Sequence, residues 1–192
     1  LIERRWEDPE FKKQFNYCVL PQVERMNMMC KTLMKLGRKS PSIRHAISFA
    51  KILEKLKEKY SKQSRIVWPK EAPLGLDVYI NEYDIFDSIS YVLDNALTVH
   101  VKASEINVKL SFEEQAFYLL IEDDGIGFSE ETNDLLFEPF FSTWPGSTGL
   151  GLTLAKKMTQ DHDIEFDLFT KDKKTVARFL FECNREEKPE LS

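Results

Sequence analysis

Two apolar segments separated by three polar residues constrain the fold of this chain more than any other feature. They run from Ile106 to Phe112 and from Phe117 to Glu122, and Glu113-Glu114-Gln115 between them suits a hairpin turn. Two further segments, Ile164 to Thr170 and Thr175 to Cys183, predict another pair of strands. Antiparallel strands combined with helices predict an α/β fold, a two-layer α/β sandwich whose mixed, mostly antiparallel sheet packs on helices.

Helical periodicity in other segments supplies the covering layer. Apolar residues recur at helical spacing from Pro21 to Gly37 and from about Ser42 to Lys62, and again in a helix that Asn81 is suited to cap. This last helix brings Tyr91 and Asn95, four apart, onto one face. The first segment has alternating spacings of three and four, which predicts a helix that packs on another helix. Packing on this protein's own core stays open as an alternative.

The pattern divides the 192 residues into three parts. Residues 1–39 are expected to form an N-terminal helical segment, residues 40–183 one domain, and residues 184–192 a polar tail. No apolar run approaches the roughly 20 residues that a membrane helix requires, so we expect no membrane contact for this fragment. The chain begins with Leu1 in mid-pattern, which indicates a piece of a longer protein.

Charge and cysteine content narrow the possible functions. The net charge is −5 and the charges are interspersed, so no positive field would attract a nucleic acid and we expect none as a partner. Cys18, Cys30 and Cys183 lack the spacing of metal ligands, and an odd count is typical of a reducing compartment. We therefore expect a cytoplasmic location, with room for a membrane anchor in the full-length protein.

Two glycine-containing segments point to a ligand. In Asp123-Asp124-Gly125-Ile126-Gly127-Phe128, which follows an apolar strand, the glycines let backbone approach a flat ligand, although turns of this composition are usually plain surface turns. In the segment 146–152, Gly149 and Gly151 open a predicted helix, whose free N–H groups and positive dipole end suit a phosphate. The glycine spacing is neither the Rossmann nor the Walker pattern, so those two nucleotide folds are disfavoured.

Four motifs together resemble one family. Tyr-Val-Leu-Asp-Asn-Ala, Glu-Asp-Asp-Gly-Ile-Gly-Phe, Phe-Glu-Pro-Phe-Phe-Ser-Thr and Gly-Ser-Thr-Gly-Leu-Gly-Leu occur in this order. They resemble the N, G1, F and G2 boxes of histidine kinases, in the GHKL ATPase superfamily, and the match covers most of Ser40 to Cys183. The resemblance implies the catalytic ATP-binding domain of a sensor histidine kinase in a two-component signalling system. It also implies ATP and Mg²⁺ as the bound cofactors.

The resemblance also implies site roles. Asn95 would be the Mg²⁺ ligand, Asp123 would accept a hydrogen bond from the adenine amino group, and Thr175 would hold adenine beside it. Phe140 lies in the stretch that leads into the lid over ATP, which is short here, Ser142 to Thr148, and resembles that of nitrogen-regulation kinases. No residue is assigned as catalytic. The implied nucleotide-binding set is Asn95, Asp123, Gly125, Gly127, Phe140, Thr148, Gly149, Leu150, Gly151 and Thr175.

The partners implied by the resemblance include a phosphoacceptor. His100 and His162 fall inside the pattern of the ATP domain and His45 is interpreted as structural, so the acceptor histidine is expected on a helix absent from this fragment. The segment Pro21 to Gly37 resembles the second helix of the dimerisation hairpin. The expected partners are therefore a histidine-bearing dimerisation helix, from the full-length chain or its dimer mate, and a response regulator. The full-length protein is expected to be a homodimer.

Three departures from the family pattern concern the phosphate end of the site. Tyr91 occupies the first N-box position, where the family usually has Asn or an acidic residue, which argues against strong ATP hydrolysis. Thr98 and Trp144 stand where basic residues are common, so phosphate affinity is expected to suffer. These departures keep an alternative open, a nucleotide-gated interaction module or pseudokinase of the same superfamily.

Overall fold

The computed structural model describes residues 6–37, 43–70, 75–99, 105–125, 127–144, 147–172 and 174–182. The chain divides into two compact units, Leu1–Lys39 and Ser40–Ser192. The tail 184–192, Cys183 and His100 lie outside the described residues. In chain order the elements are α1 (Pro9–Leu36), β1 (His45–Ser48), α2 (Phe49–Lys59), β2 (Ile66–Val67), β3 (Asp77–Ile80), α3 (Glu82–Val99), β4 (Ile106–Phe112), β5 (Ala116–Asp123), α4 (Glu130–Asn133), α5 (Gly151–Gln160), β6 (Glu165–Lys171) and β7 (Lys174–Glu182).

The long helix α1 makes up the described part of the first unit. It begins at Pro9 because the Asp8 carboxylate accepts a hydrogen bond from the backbone N–H of Glu10 at 2.9 Å, and proline suits the first helical position. The prediction of a helix start at Pro21 is therefore wrong, since Pro21 lies inside α1. A proline within a helix removes one hydrogen bond, and here the helix continues through it. No helix of the described residues is long and apolar enough to cross a bilayer.

Strand β1 occupies the first part of the segment in which the sequence predicted one continuous helix. It pairs antiparallel with β3, and the first residue of α2, Phe49, donates its backbone N–H to the Leu76 carbonyl at 2.8 Å. Ile47 opposes Val78 across the pair, and both side chains are buried. The spacing of apolar residues that suggested a helix therefore also fits one face of a strand. The prediction of a helix from Ser42 is wrong because this long-range pairing outweighs the local pattern.

The five-stranded sheet of the second unit has the strand order β2-β4-β5-β7-β6. Only the β2–β4 pair is parallel, and the predicted β4–β5 hairpin closes with Glu113 N–H donating to the Ala116 carbonyl at 2.9 Å. Helices α2, α3 and α5 and one face of this sheet share a single core that includes Phe49, Leu93, Phe117 and Phe179. The predicted two-layer α/β sandwich with a mixed, mostly antiparallel sheet is confirmed.

Helices α3 and α5 lie side by side and antiparallel. Near the start of α5, a Cβ placed on Gly151 would lie 3.8 Å from the Tyr91 Cβ. In the middle, the Ser88 hydroxyl donates to the Ala155 carbonyl at 3.1 Å. Just past the end of α5, His162 Nε2 lies 3.3 Å from an Asp84 carboxylate oxygen in the first turn of α3. The middle of α3, at Tyr91, therefore lies beside the start of α5.

Candidate functional site

A row of polar side chains crosses the sheet where β5 ends. Asp123 is the last residue of β5, it opposes Thr175 in β7, and Thr175 in turn opposes Thr170 in β6. Directly opposed residues of antiparallel strands point to the same face of a sheet. Because Asp123 and Thr175 are 4% and 3% exposed, this row begins inside the helix-covered layer. The sheet register thus brings together the two residues that the sequence assigned to adenine.

One buried polar atom in this row has no hydrogen-bond partner among the described residues. The Asp123 carboxylate accepts a hydrogen bond from Gly125 N–H at 2.9 Å, which fixes the glycine turn to the end of β5. The Thr175 hydroxyl oxygen is buried and has no hydrogen-bond partner in the described part of the chain. A buried hydroxyl without a partner costs about 1–3 kcal/mol. Such a group is expected where a ligand completes the hydrogen bonding.

Gly127 closes this end of the site against β6. Its φ of 70° is the left-handed conformation that favours glycine, and a Cβ there would lie 3.4 Å from the Thr170 hydroxyl oxygen. Thr170 therefore lines the same corner as Thr175, although the sequence analysis did not select it. The signal that could have found it is the tight turn after Lys171, which sets the register of the β6–β7 hairpin.

The start of α5 offers the second half of the site. Gly151 is the first residue of α5, and the residue before it, Leu150, is buried and makes no side-chain capping bond. No acidic residue occupies the first turn of α5. The positive end of the helix dipole is thus uncompensated by a side chain of this turn, an arrangement that suits a bound anion.

The lid is tied at its base by Phe140 and Gly149. The Phe140 N–H donates to the Gly149 carbonyl at 3.0 Å, and a Cβ on Gly149 would lie 2.5 Å from the Phe141 carbonyl oxygen. Gly149 has a φ of 65°, so only glycine fits this position. Phe140 also has a positive φ, 68°, with a side chain that is 55% exposed. A bulky residue in this conformation is strained, which is typical of functional loops. Thr148, between the two tied ends, is half-buried.

Asn95 lies on α3 one turn beyond Tyr91 and is half-buried. Residues four apart share a helix face, so Asn95 lies on the side that contacts the start of α5. The neighbouring Asp94 carboxylate is 2.6 Å from the hydroxyl of Tyr60, the C-terminal cap of α2, which fixes this turn of α3. Burial raises the pKa of the Tyr60 hydroxyl above its ordinary value, so the hydroxyl keeps the proton that it donates.

The potential metal ligands are sparse. The described residues contain no group of three or more His, Cys, Asp or Glu side chains that could hold a metal ion. A metal ion in a nucleotide site can also take oxygen ligands from the bound molecule and from water. That arrangement is the one that Mg²⁺ commonly adopts with nucleotides.

Comparisons with known proteins agree with this geometry. A family model described as histidine kinase-, DNA gyrase B-, and HSP90-like ATPase matches residues 81–185. The chain is 26% identical over 180 residues to the sensor histidine kinase WalK of Bacillus subtilis, covering 84% of this chain and 29% of WalK. It is 24% identical over 183 residues to the sensory histidine kinase/phosphatase NtrB of Vibrio alginolyticus, covering 88% and 51%. The chain thus spans about half or less of these relatives.

A solved structure shows the same fold. The histidine kinase ThkA, in complex with the response regulator protein TrrA, superposes with a TM-score of 0.70 at 16% identity, covering 94% of this chain and 54% of ThkA. The family model spans more than half of the chain and includes Asn95, both glycine segments and Thr175. The resemblance that the four motifs predicted is therefore confirmed, and the chain belongs to the family of histidine kinase-, DNA gyrase B- and HSP90-like ATPases.

Proposed function

We propose that this chain is the catalytic ATP-binding part of a sensor histidine kinase in a two-component system. It transfers the γ-phosphoryl group of ATP to a histidine on a dimerisation helix outside residues 1–192, from which the group passes to an aspartate of a response regulator. Family membership and the kinase relatives support this proposal. The observation that carries it is the buried Asp123–Thr175 pair, in which the Thr175 hydroxyl lacks a partner among the described groups.

Asp123 and Thr175 would recognise the adenine ring. The Asp123 carboxylate would accept a hydrogen bond from the exocyclic amino group, and the Thr175 hydroxyl would complete its own hydrogen bonding on the same ring. Guanine has a carbonyl oxygen at that position. A buried carboxylate would then face an unpaired acceptor, which costs enough to exclude guanine.

The phosphates would lie at the start of α5. Backbone N–H groups from Gly149 to Gly151 and the positive end of the helix dipole would bind them, and the lid tied at Phe140 would close over them. Thr148 and Leu150 complete this segment of backbone. Phosphoryl transfer needs little covalent help from the protein, so positioning and charge stabilisation are the main contributions of these groups.

The residues present fit a Mg²⁺ ion shared with the nucleotide. Asn95 supplies one carboxamide oxygen on the α3 face beside the start of α5, and phosphate oxygens would supply the remaining charge. When bound, the ion would neutralise charge that develops on the phosphate oxygens. Asn95 would orient the ion and the phosphates that share it. Tyr91 in the preceding turn has no carboxylate with which to activate water, which favours phosphoryl transfer over hydrolysis.

The proposed macromolecular partners follow from the family and from α1. The apolar residues Val23, Met26 and Leu33 of α1 are 45%, 64% and 44% exposed, and they share the seam spacing of helices that pack on helices. This supports packing against a histidine-bearing dimerisation helix and a homodimeric full-length protein. The complex of ThkA with TrrA supports a response regulator as the second partner.

The test is transfer of label from γ-labelled ATP to a separately supplied acceptor-helix fragment. We expect label on the histidine of that fragment only when this chain and Mg²⁺ are both present, and about 10–100-fold less label with Asp123→Asn when ATP is far below saturation. Nucleotide binding without any transfer, and with equal affinity for ADP and ATP irrespective of Mg²⁺, would instead identify a nucleotide-gated interaction module.

A further inference from the structure

We infer that Arg44, Asn81, Asp161 and Asp163 form a latch that sets the register of α3 against α5 and thereby positions the phosphate end of the site. The inference rests on the proposed function, because it assigns the start of α5 to phosphate. It concerns the opposite end of the helix pair, where no residue is expected to touch the nucleotide. We call these four residues the latch.

Arg44, the second described residue after the junction with α1, binds the end of α5. One guanidinium nitrogen lies 2.6 Å from the Asp163 carboxylate, and the other donates to the Asp161 carbonyl at 2.5 Å. Asp161 is the C-terminal cap of α5, whose last carbonyls otherwise lack partners within the helix. The planar guanidinium fork therefore holds the end of α5 in both position and orientation.

The residue before Arg44 is bound to the start of α3. The Asn81 side-chain amide donates to the Ile43 carbonyl at 3.1 Å. The amide oxygen of the same side chain accepts hydrogen bonds from Tyr83 N–H at 3.0 Å and Asp84 N–H at 3.2 Å, which caps α3. Ile43 and Arg44 thus hold one end of each helix that forms the candidate phosphate site.

His162 fills the space between the two held ends. Its side chain is buried, and Nε2 lies 3.3 Å from the Asp84 carboxylate. Burial lowers the pKa of His162, with Asp84 acting in the opposite direction, so the ring is neutral at physiological pH. A neutral buried ring packs the helices together without requiring a charge partner. The contact between the helix ends therefore combines a buried ring with the hydrogen bonds of the latch.

Backbone geometry at Asp163 is consistent with a positioned carboxylate. Asp163 has a φ of 57°, a left-handed conformation that Asp tolerates better than most residues. This conformation turns the chain sharply after α5 while the carboxylate remains on Arg44. Strain of this kind persists where surrounding contacts determine the geometry.

The antiparallel helix pair can transmit a displacement from the latch to the site. Eleven residues separate Asp84 from Asn95, a distance of about 16 Å along α3. The Ser88–Ala155 hydrogen bond lies between the two ends and can act as a pivot. A small rotation at the latch would then change the spacing between Asn95 and the start of α5. Ile43 and Arg44 are the first described residues of the second unit.

The experiment compares Arg44→Ala, Arg44→Lys and Asp163→Asn with the control Arg178→Ala. Arg178 forms an equivalent ion pair with Asp167, at 2.7 Å, across the β6–β7 pair. Isothermal calorimetry would give Kd for Mg²⁺-ATP and for adenosine, which lacks phosphates, with the melting temperature of each variant as a check of folding. Hydrogen exchange would report on the first-turn amides of α5.

We expect Arg44→Ala to weaken Mg²⁺-ATP binding by about threefold to tenfold while adenosine binding stays within about twofold, a coupling of ordinary size. Arg44→Lys and Asp163→Asn should have smaller effects in the same direction, because each keeps part of the contact. Exchange at the start of α5 should accelerate with Arg44→Ala and not with Arg178→Ala.

Two results would overturn the latch. One is unchanged Mg²⁺-ATP binding and unchanged exchange in Arg44→Ala, and the other is an equal loss of adenosine and Mg²⁺-ATP binding, as general destabilisation would give. If the wild-type protein bound no Mg²⁺-ATP, the proposed function would fail. The exchange measurement would still decide whether Arg44 controls the start of α5.

Discussion

The adenine end and the phosphate end of the candidate site are built from different kinds of structure. At the adenine end, Asp123 and Thr175 are buried and held by the register of central strands. At the phosphate end, a helix terminus and a short lid provide backbone groups, and the lid carries exposed side chains such as Phe140. Strands of a packed sheet move little, whereas loops open locally at low cost. In the proposed function, the sheet therefore recognises adenine and the lid closes over the phosphates.

All three departures from the family pattern concern the proposed phosphate end. Tyr91 is next to Gly151, Trp144 lies in the lid, and Thr98 donates its hydroxyl to the Asp94 carbonyl at 2.7 Å. The adenine end has no such departure. We therefore expect substitutions at the adenine end to change nucleotide affinity. Substitutions at the phosphate end should change the folding of the lid and the rate of phosphoryl transfer.

Gly149→Ala, at the base of the lid, should have the largest effect. The added Cβ would lie 2.5 Å from two backbone atoms and would also require a left-handed φ, so the free energy of unfolding should fall by about 3 kcal/mol or more. Urea denaturation would measure the loss. Gly75→Ala is the matched control, because its φ is also positive, 84°, but no described residue lies within 4 Å of the new Cβ. It should cost about 1–2 kcal/mol.

Asp123→Asn should weaken ATP binding by about 10–100-fold with little loss of stability. The amide oxygen of the new side chain can still accept the hydrogen bond from Gly125 N–H. The amide nitrogen would then face the adenine amino group, so that two hydrogen-bond donors oppose each other. Calorimetry with ATP and adenosine should show the same fold-change for both ligands. The neighbouring Asp124→Asn, at an exposed position, should bind ATP normally. An equal loss in both variants would argue that this turn does not bind adenine.

Thr175→Val should change stability and binding in opposite directions. Removing a buried hydroxyl that has no partner among the described residues should raise the free energy of unfolding of the ligand-free protein by about 1 kcal/mol. ATP binding should weaken by about threefold to tenfold, because the proposed hydrogen bond is lost. Thr159→Val is the control, since that buried hydroxyl already donates to the Ala155 carbonyl and its loss should destabilise. Stability that falls at both positions would contradict a ligand role for Thr175.

Acid should weaken the packing of α3 against α5, and this is the smallest of the four expected effects. The pKa of His162 is lowered from 6.5 by burial, so the unfolded chain takes up the proton first. The contribution of His162 is complete above pH 6.5 and is lost as the pH falls through the lowered pKa. The difference between the denaturation curves of the wild type and His162→Gln, measured from pH 8 to about pH 5, isolates the contribution of His162 to stability. Parallel curves would show that His162 is not the titrating group.

Much of the site was predictable because its chemistry lies in short motifs. The glycines at 127 and 149 were selected from sequence, and both adopt a positive φ that few other residues accept. The strand pair β4–β5 followed from two apolar segments with polar turn residues between them, a pattern typical of a hairpin. The start of α1 and the strand β1 were missed. Asp8 and Pro9 were overlooked as a start signal, and β1 depends on a partner about 30 residues away.

The sequence by itself determined the motif order, the family, the fold class and the separate residues that could bind adenine and phosphate. Only the tertiary structure decided that Asp123 stands opposite Thr175, that Thr170 joins them, and that Gly149 packs on the backbone at Phe141. The latch on Arg44 was likewise invisible, since its partner Asp163 lies 119 residues further along the chain. Local periodicity reports which face of an element is buried. Register and distant pairing depend on how the elements meet, which is a property of the packed chain as a whole.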